Sequence, residues 1–370
     1  MKNPLKDLLT GIFSKKEDAY VGIDIGTSSI KLVQIKKNTG RLILETYGEV
    51  ALGPYEDRAE GELTNLPAEK LSEALKNLLL QANVTSSRAL ISISSATSLI
   101  FILKLPNINQ KDIAGVVANE ARKYIPIPLT EVSLDWWMIP EKEVYGETSE
   151  QEQQEEKKQI DVLVAAVRNE VVDKYNTIVS TLSMLSSTAY EIETFSAVRG
   201  SFKRELAPVM LVDSGASGTR VSVIEHGVVR KFHVVNRGSS YITSSIAKSL
   251  EVEFAEAEKL KREVGLVKDH PKQDVYNIIE AGTNYIFSEI QNVILDYERE
   301  YHKPIRKIIL IGGGSLLKQY RESIERRYNI TTEYADPFDK VVSPDFLREV
   351  LLNAGPEFAV SLGLALQELE

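Results

Sequence analysis

The feature that most constrains this chain is a plan that occurs twice. Val21–Ile35 reads VGIDIGTSSIKLVQI, and Val209–Gly238 reads VMLVDSGASGTRVSVIEHGVVRKFHVVNRG. In each, an apolar strand ends in Asp-x-Gly, small and hydroxyl residues follow, and a second strand resumes. A turn and a third strand complete both units: KKNTGR (Lys36–Arg41) leads to Leu42–Val50, and EHG (Glu225–Gly227) leads to the last strand of the second unit. Internal duplication of a half-protein is the simplest account.

Acids and hydroxyls at the end of a buried strand are costly unless something pairs with them. A loop of Gly and hydroxyl residues after a strand can present backbone N–H groups to phosphate oxygens. Gly26, Thr27, Ser28 and Ser29 form such a run, and Gly215, Ala216 and Ser217 form its counterpart. Lys31 can reach a phosphate as a point charge. Asp24 and Asp213 are matching acids suited to Mg²⁺, which keeps several waters beside phosphate oxygens. A third glycine turn, Gly312, Gly313, Gly314 and Ser315, follows the strand RKIILI. Each turn alone is equally compatible with a tight hairpin capped by an acid; three in this order point to a polyphosphate and its metal. The GxxxxGK[ST] loop is absent, and no GxGxxG follows a strand.

Composition narrows the field. The 370 residues suffice for more than one core, and the formal charge of −9 argues against nucleic-acid binding. Cysteine is absent, which removes thiolate catalysis and suits a reducing compartment. The four histidines (His226, His233, His270, His302) form no HExxH. No apolar run reaches membrane-spanning length by inspection. In residues 1–18, Leu5, Leu8, Leu9, Ile12 and Phe13 recur at helical spacing among lysines. That predicts a short amphipathic leader, either locally packed or docked on a partner or membrane surface.

Between the repeats, Leu66–Ala82 predicts a helix with Leu71, Leu75, Leu78 and Leu79 on one face. ALISISSATSLIFILKLP predicts two strands, and NQKDIAGVVANEARKYIPIP a helix stopped by Pro126 and Pro128. VSLDWWMIP predicts a strand, Tyr145–Gln159 a polar surface loop, and IDVLVAAV another strand, with a helix and the strand AYEIE after it. After the second repeat the pattern is helical, and PEFAVSLGLALQEL predicts a closing helix.

These motifs resemble the actin, Hsp70 and sugar kinase superfamily of ATP-binding proteins. DIGTSSIK and DSGASGTR stand in the places of its two phosphate motifs, and LIGGGSLL in that of its adenine motif. EIETFSAVRG and EFAVSLGLALQ are similar to its connecting motifs. The resemblance makes Glu193 the residue that orients water, beside Asp213. EAEKLKREVG is similar to the ribose-contacting helix, where Glu258, Lys261 and Arg262 share a face at i, i+3 and i+4; a solvated charged face is the competing reading. Two departures bear on hydrolysis: Arg220 and Ala216 stand where relatives carry acids. With fewer carboxylates, tight binding of Mg·ATP and slow or absent hydrolysis are expected, and Arg220 either stabilises phosphate charge or points to solvent.

Within the superfamily, VGIDIGTSSIKLVQI, EARKYIPIPLTEVSLDWWMI and YADPFDKV followed by GLAL are similar to the PilM family of type IV pilus assembly proteins, related to FtsA. The resemblance implies an α/β actin-like fold: two lobes of duplicated mixed sheet around a nucleotide cleft, with a small α+β insert. Its parts would be 19–87 with 186–208 and 340–370; the insert 88–185; 209–238 with 305–339; and a helical part 239–304. It implies a cytoplasmic scaffold at the inner membrane that binds the N-terminal tail of PilN and joins, through PilN, to PilO and the motor ATPases. Tyr124, Pro126, Trp136 and Trp137 are candidates for the tail groove, although a strand such as VSLDWWMI would normally bury one tryptophan. An FtsA-like membrane-associated filament protein and a small-molecule kinase of the same superfamily remain alternatives, and self-association stays open.

Overall fold

The computed structural model describes residues 19–369 apart from 107–109, 140–158, 203–204 and 206. The expected leader and the polar stretch 145–158 therefore lie outside the described residues. The chain opens with β1 (Ala19–Ile25), β2 (Ser29–Asn38), β3 (Arg41–Ala51), α1 (Ala68–Gln81) and β4 (Arg88–Ile93). There follow β5 (Ser98–Pro106), α2 (Gln110–Ala121), β6 (Val132–Met138), β7 (Gln159–Arg168), α3 (Asn169–Ser180), β8 (Ser187–Ile192) and α4 (Glu193–Ser201). The second repeat supplies β9 (Val209–Ser214), β10 (Thr219–Glu225) and β11 (Val228–Val235), then α5 (Ser239–Leu250), α6 (Phe254–Val264) and α7 (Gln273–Tyr301). The closing elements are β12 (Lys307–Ile311), α8 (Tyr320–Tyr328), β13 (Thr331–Tyr334) and α9 (Arg348–Leu366).

The duplication is complete at the level of topology. One sheet has the order β3-β2-β1-β4-β8 and the other β11-β10-β9-β12-β13. In both, an antiparallel meander is extended by two parallel strands. Even the hairpin turns agree: Thr39–Gly40 and His226–Gly227 have φ of 48° and 80°, and 52° and 78°. Two successive left-handed residues turn the chain in the sense that matches strand twist. A third sheet, β5-β7-β6, is the insert. Leu103, Leu105, Val162 and Val164 cover one of its faces, packed on Ile113 and Val117 of α2.

Two expectations need correction. The insert was placed at 88–185, yet Arg88–Ile93 is the fourth strand of the first sheet, parallel to β1 and to β8. Tyr175 and Ile178 of α3 likewise share a core with Leu75 and Leu79 of α1. A parallel partner distant in sequence leaves no local signature, so the boundary could not be read from the segment itself. The second concerns hydropathy: Asp345–Leu366 is long and apolar enough to cross a membrane by composition, but 67% of its apolar 18-residue stretch is buried inside the protein. It is a core helix.

That helix lies between the two sheets together with α4. Leu90 of the first sheet, Val209, Leu211, Ile309 and Ile311 of the second, Ala197 of α4 and Ala359, Val360 and Leu364 of α9 form one cluster. The two helices meet backbone to backbone. A Cβ on Gly363 would stand 1.9 Å from the Ser196 carbonyl oxygen, and one on Gly200 2.0 Å from that of Ala359. No side chain fits there without parting the helices. We expect Gly363→Ala to lose roughly 3 kcal/mol or more in urea unfolding. Gly115→Ala, in α2 with open space around it, should be neutral or gain up to about 1 kcal/mol.

Candidate functional site

Both Asp-x-Gly turns are built alike. Gly26 N–H donates to the Ser29 carbonyl at 3.0 Å and Gly215 N–H to the Gly218 carbonyl at 3.0 Å. Those two donors are therefore spent within the turns. A basic residue faces each acid across the hairpin: Lys31 opposite Asp24 and Arg220 opposite Asp213. The third glycine turn is tied to the central helix, since Gly312 N–H donates to the Pro356 carbonyl at 2.9 Å.

The three turns line one cleft of about 740 Å³. Asp24, Gly26, Thr27, Ser28, Ser29 and Lys31 form one wall, and Asp213, Gly215, Ala216, Ser217, Gly312, Gly313 and Gly314 another. Glu193, at the start of α4, and Glu258, Lys261 and Arg262 of α6 complete it. Ser315 is the exception. It is fully buried, and its hydroxyl donates to the Gly312 carbonyl at 2.7 Å. It braces the turn from behind and does not line the cleft.

Serines in the last residues of β4 and just after it, which sequence reasoning passed over, hold the acids. Ser92 donates its hydroxyl to Asp24 Oδ1 at 2.7 Å, and Ser95 donates its N–H to Glu193 Oε1 at 2.7 Å. The available signal was the hydroxyl run in ISISSATS, which begins inside the apolar strand β4 and continues past its end. Lys31 Nζ lies 2.8 Å from Glu49, donates to Ser29 Oγ at 2.8 Å, and stands 3.8 Å from Glu357. Burial works against its charge, yet Glu49 and Glu357 outweigh it and hold Lys31 above its usual pKa.

The α6 face is not simply solvated. Glu258 accepts from Lys261 and from Arg262, each at 2.7 Å, and from Thr243 at 2.7 Å. Burial opposes the charge of Glu258, but Lys261 outweighs it and lowers its pKa. Lys261 itself is pulled below its usual value by burial. Side-chain exposure separates the three: 77% for Arg262, 17% for Glu258 and 7% for Lys261. Arg262 is open to a ligand, whereas Lys261 is a buried support.

The acids fit a metal–phosphate ligand. Burial, reinforced by Glu193, raises the pKa of Asp24. Burial carries Asp213 up to about 7, although Arg220 pulls the other way. Two carboxylates whose charge is disfavoured would gain from a cation. Among the described residues no three His, Asp or Glu side chains gather closely enough to hold an ion while Arg220 lies between Glu193 and Asp213; Mg²⁺ would take most of its ligands from water and phosphate.

A second, larger groove of about 1110 Å³ lies away from the acids, between the insert, α4 and the β10–β11 hairpin. Trp137, Met138, Tyr190, Phe195 and Phe202 line it. Trp137 is 46% exposed and meets Phe195 edge-on at 5.5 Å. Tyr124, Pro126 and Trp136 do not line this groove. Tyr124 stacks on Phe101 at 4.9 Å, and Trp136 packs on the α2 side of the insert, as strand alternation requires of a neighbour to Trp137.

Asp213 also links stability to pH. With its folded pKa near 7 and a reference value of 3.8, the folded chain binds more protons between those limits. Its contribution to stability therefore falls as pH rises from 4 to 7 and stays low above 7. Asp213→Asn should melt at least about 2 °C above wild type at pH 8 without ligand, and the difference should shrink at pH 5.

A family model described as type IV pilus assembly protein PilM matches residues 22–369. A solved PilM–PilN type IV pilus biogenesis complex superposes with a TM-score of 0.78 at 25% identity, covering 95% of this chain and 98% of that one. The ethanolamine utilization protein EutJ from Carboxydothermus hydrogenoformans gives a TM-score of 0.51 at 14% identity, over 98% and 96% of the two chains. MreB 5 of Spiroplasma citri bound to AMPPNP gives 0.50 at 11%, over 93% and 94%. The last two are similar in fold, which is that of actin-like ATPases. With its duplicated sheets, its cleft and a family match over nearly its whole length, the chain belongs to the PilM family of type IV pilus assembly proteins.

Proposed function

We propose that this chain is a cytoplasmic ATP-binding scaffold of type IV pilus assembly, which holds the tail of a PilN protein at the inner membrane. The observation that carries the nucleotide half is the convergence of three glycine turns with Asp24, Glu193 and Asp213 on one cleft. The Thr27–Ser29 and Ala216–Ser217 runs would bind phosphates, the third turn and Arg262 the nucleoside, and Asp24 and Asp213 would hold Mg²⁺ through its waters. The metal would neutralise phosphate charge and fix the polyphosphate in place. Glu193 would orient a water, but Arg220 pairs with it at 3.0 Å, and Ala216 and Arg220 stand where acids that assist hydrolysis would be expected. Hydrolysis is accordingly slow or absent.

The partner half rests on the apolar groove. Arg199 is already satisfied by bonds to Glu191 at 2.8 and 2.7 Å, and Lys340 donates to carbonyls of Arg199 and Phe202 at 2.6 and 2.9 Å. What remains for a ligand is mostly aromatic and aliphatic surface, bordered by the edge strands β6 and β8. An extended peptide with apolar side chains fits such a place. Through that tail the chain would be joined to PilO and to the motor ATPases.

Mg·ATP binding and turnover of wild type, Asp24→Ala and Asp213→Ala, measured together, test the nucleotide half. Expected are binding weakened at least about tenfold in each variant and wild-type turnover well below the ~1–100 s⁻¹ of kinases. Fast turnover, or wild type that binds no nucleotide, would reject it. Trp137→Ala should weaken capture of a PilN tail peptide by about 30-fold and leave nucleotide affinity unchanged. Equal peptide binding by this variant would move the partner elsewhere.

A further inference from the structure

Lys31 and Arg220 occupy the same place in the two repeats but do opposite things. Lys31 turns aside to Glu49 and Ser29. Arg220 turns into the cleft. Its Nε lies 3.0 Å from Glu193 Oε1, one terminal nitrogen lies 3.9 Å from Asp213 Oδ2, and the other donates to Ser94 Oγ at 3.4 Å. Glu193 and Ser94 belong to the first lobe and Arg220 to the second, so the contact spans the cleft.

Space has been made for this side chain. A Cβ on Gly215 would stand 2.7 Å from Arg220 Nη1, so the phosphate-loop glycine is also the opening through which the guanidinium passes. The side chain is only 12% exposed. Its rigid planar fork can meet two carboxylates at once, which a lysine ammonium does less well. A buried cation facing Asp24, Glu193 and Asp213 offsets part of a charge that burial would otherwise make costly.

We propose that Arg220 is the resident counter-ion of the cleft: it stands between Glu193 and Asp213, keeps divalent metal out of the nucleotide-free protein, and yields only to metal that arrives with a polyphosphate. The inference rests on the metal–nucleotide reading above, which it deepens. Arg220 acts as a positioning residue, fixing Glu193 through charge. It also gives this cleft a property that a plain acidic site lacks, because metal and nucleotide must enter together.

The test uses the nucleotide-free full chain and Mn²⁺ as the probe, with free ion read by electron paramagnetic resonance. Wild type should leave the free-ion signal unchanged, and Arg220→Gln should take up one Mn²⁺ per chain, at least about tenfold more tightly. Arg220→Lys should stay closer to wild type, and Arg220→Gln combined with Asp213→Asn should lose the new site. Melting curves report whether each variant is folded. The wild-type arm decides independently of them, since tight Mn²⁺ uptake by wild type alone overturns the proposal. So does a folded Arg220→Gln variant that gains no site. Parallel titration of wild type with Mg·ATP separates the two readings. Binding of Mg·ATP without a gain of Mn²⁺ in the variant removes only the counter-ion, and a gain of Mn²⁺ without binding of Mg·ATP removes only the nucleotide.

Discussion

The contact between α4 and α9 is the constraint on which the rest of the molecule depends. Neither helix touches solvent along the shared seam, and both carry a glycine where the other's carbonyl arrives. The seam is the layer between the two sheets. From it the functional groups are set out. Glu193 begins α4, Gly312 is hydrogen-bonded to Pro356 of α9, and Glu357 of α9 stands beside Lys31. β1, which carries Asp24 one residue before its end, presses its Gly22 against the Ser361 carbonyl of the same helix. Acid, glycine turn and lysine thus share one frame, and close-packed frames transmit small displacements with little give.

Duplication explains why the cleft has two matching walls, and divergence explains why they are not equivalent. The sheets, hairpin turns and hydrogen-bonded Asp-x-Gly loops agree in both halves. The basic residue opposite each acid was then put to two uses. Lys31 stabilises its own wall, within reach of Glu49 and Glu357. Arg220 reaches the facing wall. A symmetric pair of loops has become an asymmetric site, in which one half carries a cation directed at the acids of the other.

Much of this was legible in the sequence because it is local. The Asp-x-Gly loops, the TG and HG turns, and the amphipathic helices each declare themselves within a few residues. What could not be read depends on distant partners. β4 joins a sheet whose next strand in chain order is β8, so its membership cannot be seen in Arg88–Ile93. Ser315 follows three glycines that line the cleft, yet it turns inward, because a tight turn sends successive residues in opposite directions. Trp136 and Trp137 are indistinguishable by composition, and only the side of the sheet covered by α2 decides which is left for the groove. The direction of Arg220 was likewise open between phosphate and solvent. The structure gives a third answer, an acid on the opposite lobe.

The two cavities share an element. Glu193, the first residue of α4, faces the nucleotide cleft, while Phe195, Val198, Arg199 and Phe202 along and just beyond the same helix line the apolar groove. A nine-residue helix, Glu193–Ser201, therefore has one end in each site. Its position is held by α9 at the glycine seam, by Arg220 and the Ser95 N–H at Glu193, by Glu191 at Arg199, and by Lys340 at the carbonyls of Arg199 and Phe202. A ligand that displaces Arg220 from Glu193 removes one of those restraints, and a peptide lying against Phe195 adds another. Any resulting coupling acts equally in both directions, because the free energy by which nucleotide alters peptide affinity is the one by which peptide alters nucleotide affinity. For the scaffold proposed above, that reciprocity would be the physical means by which a bound nucleotide matters without being consumed.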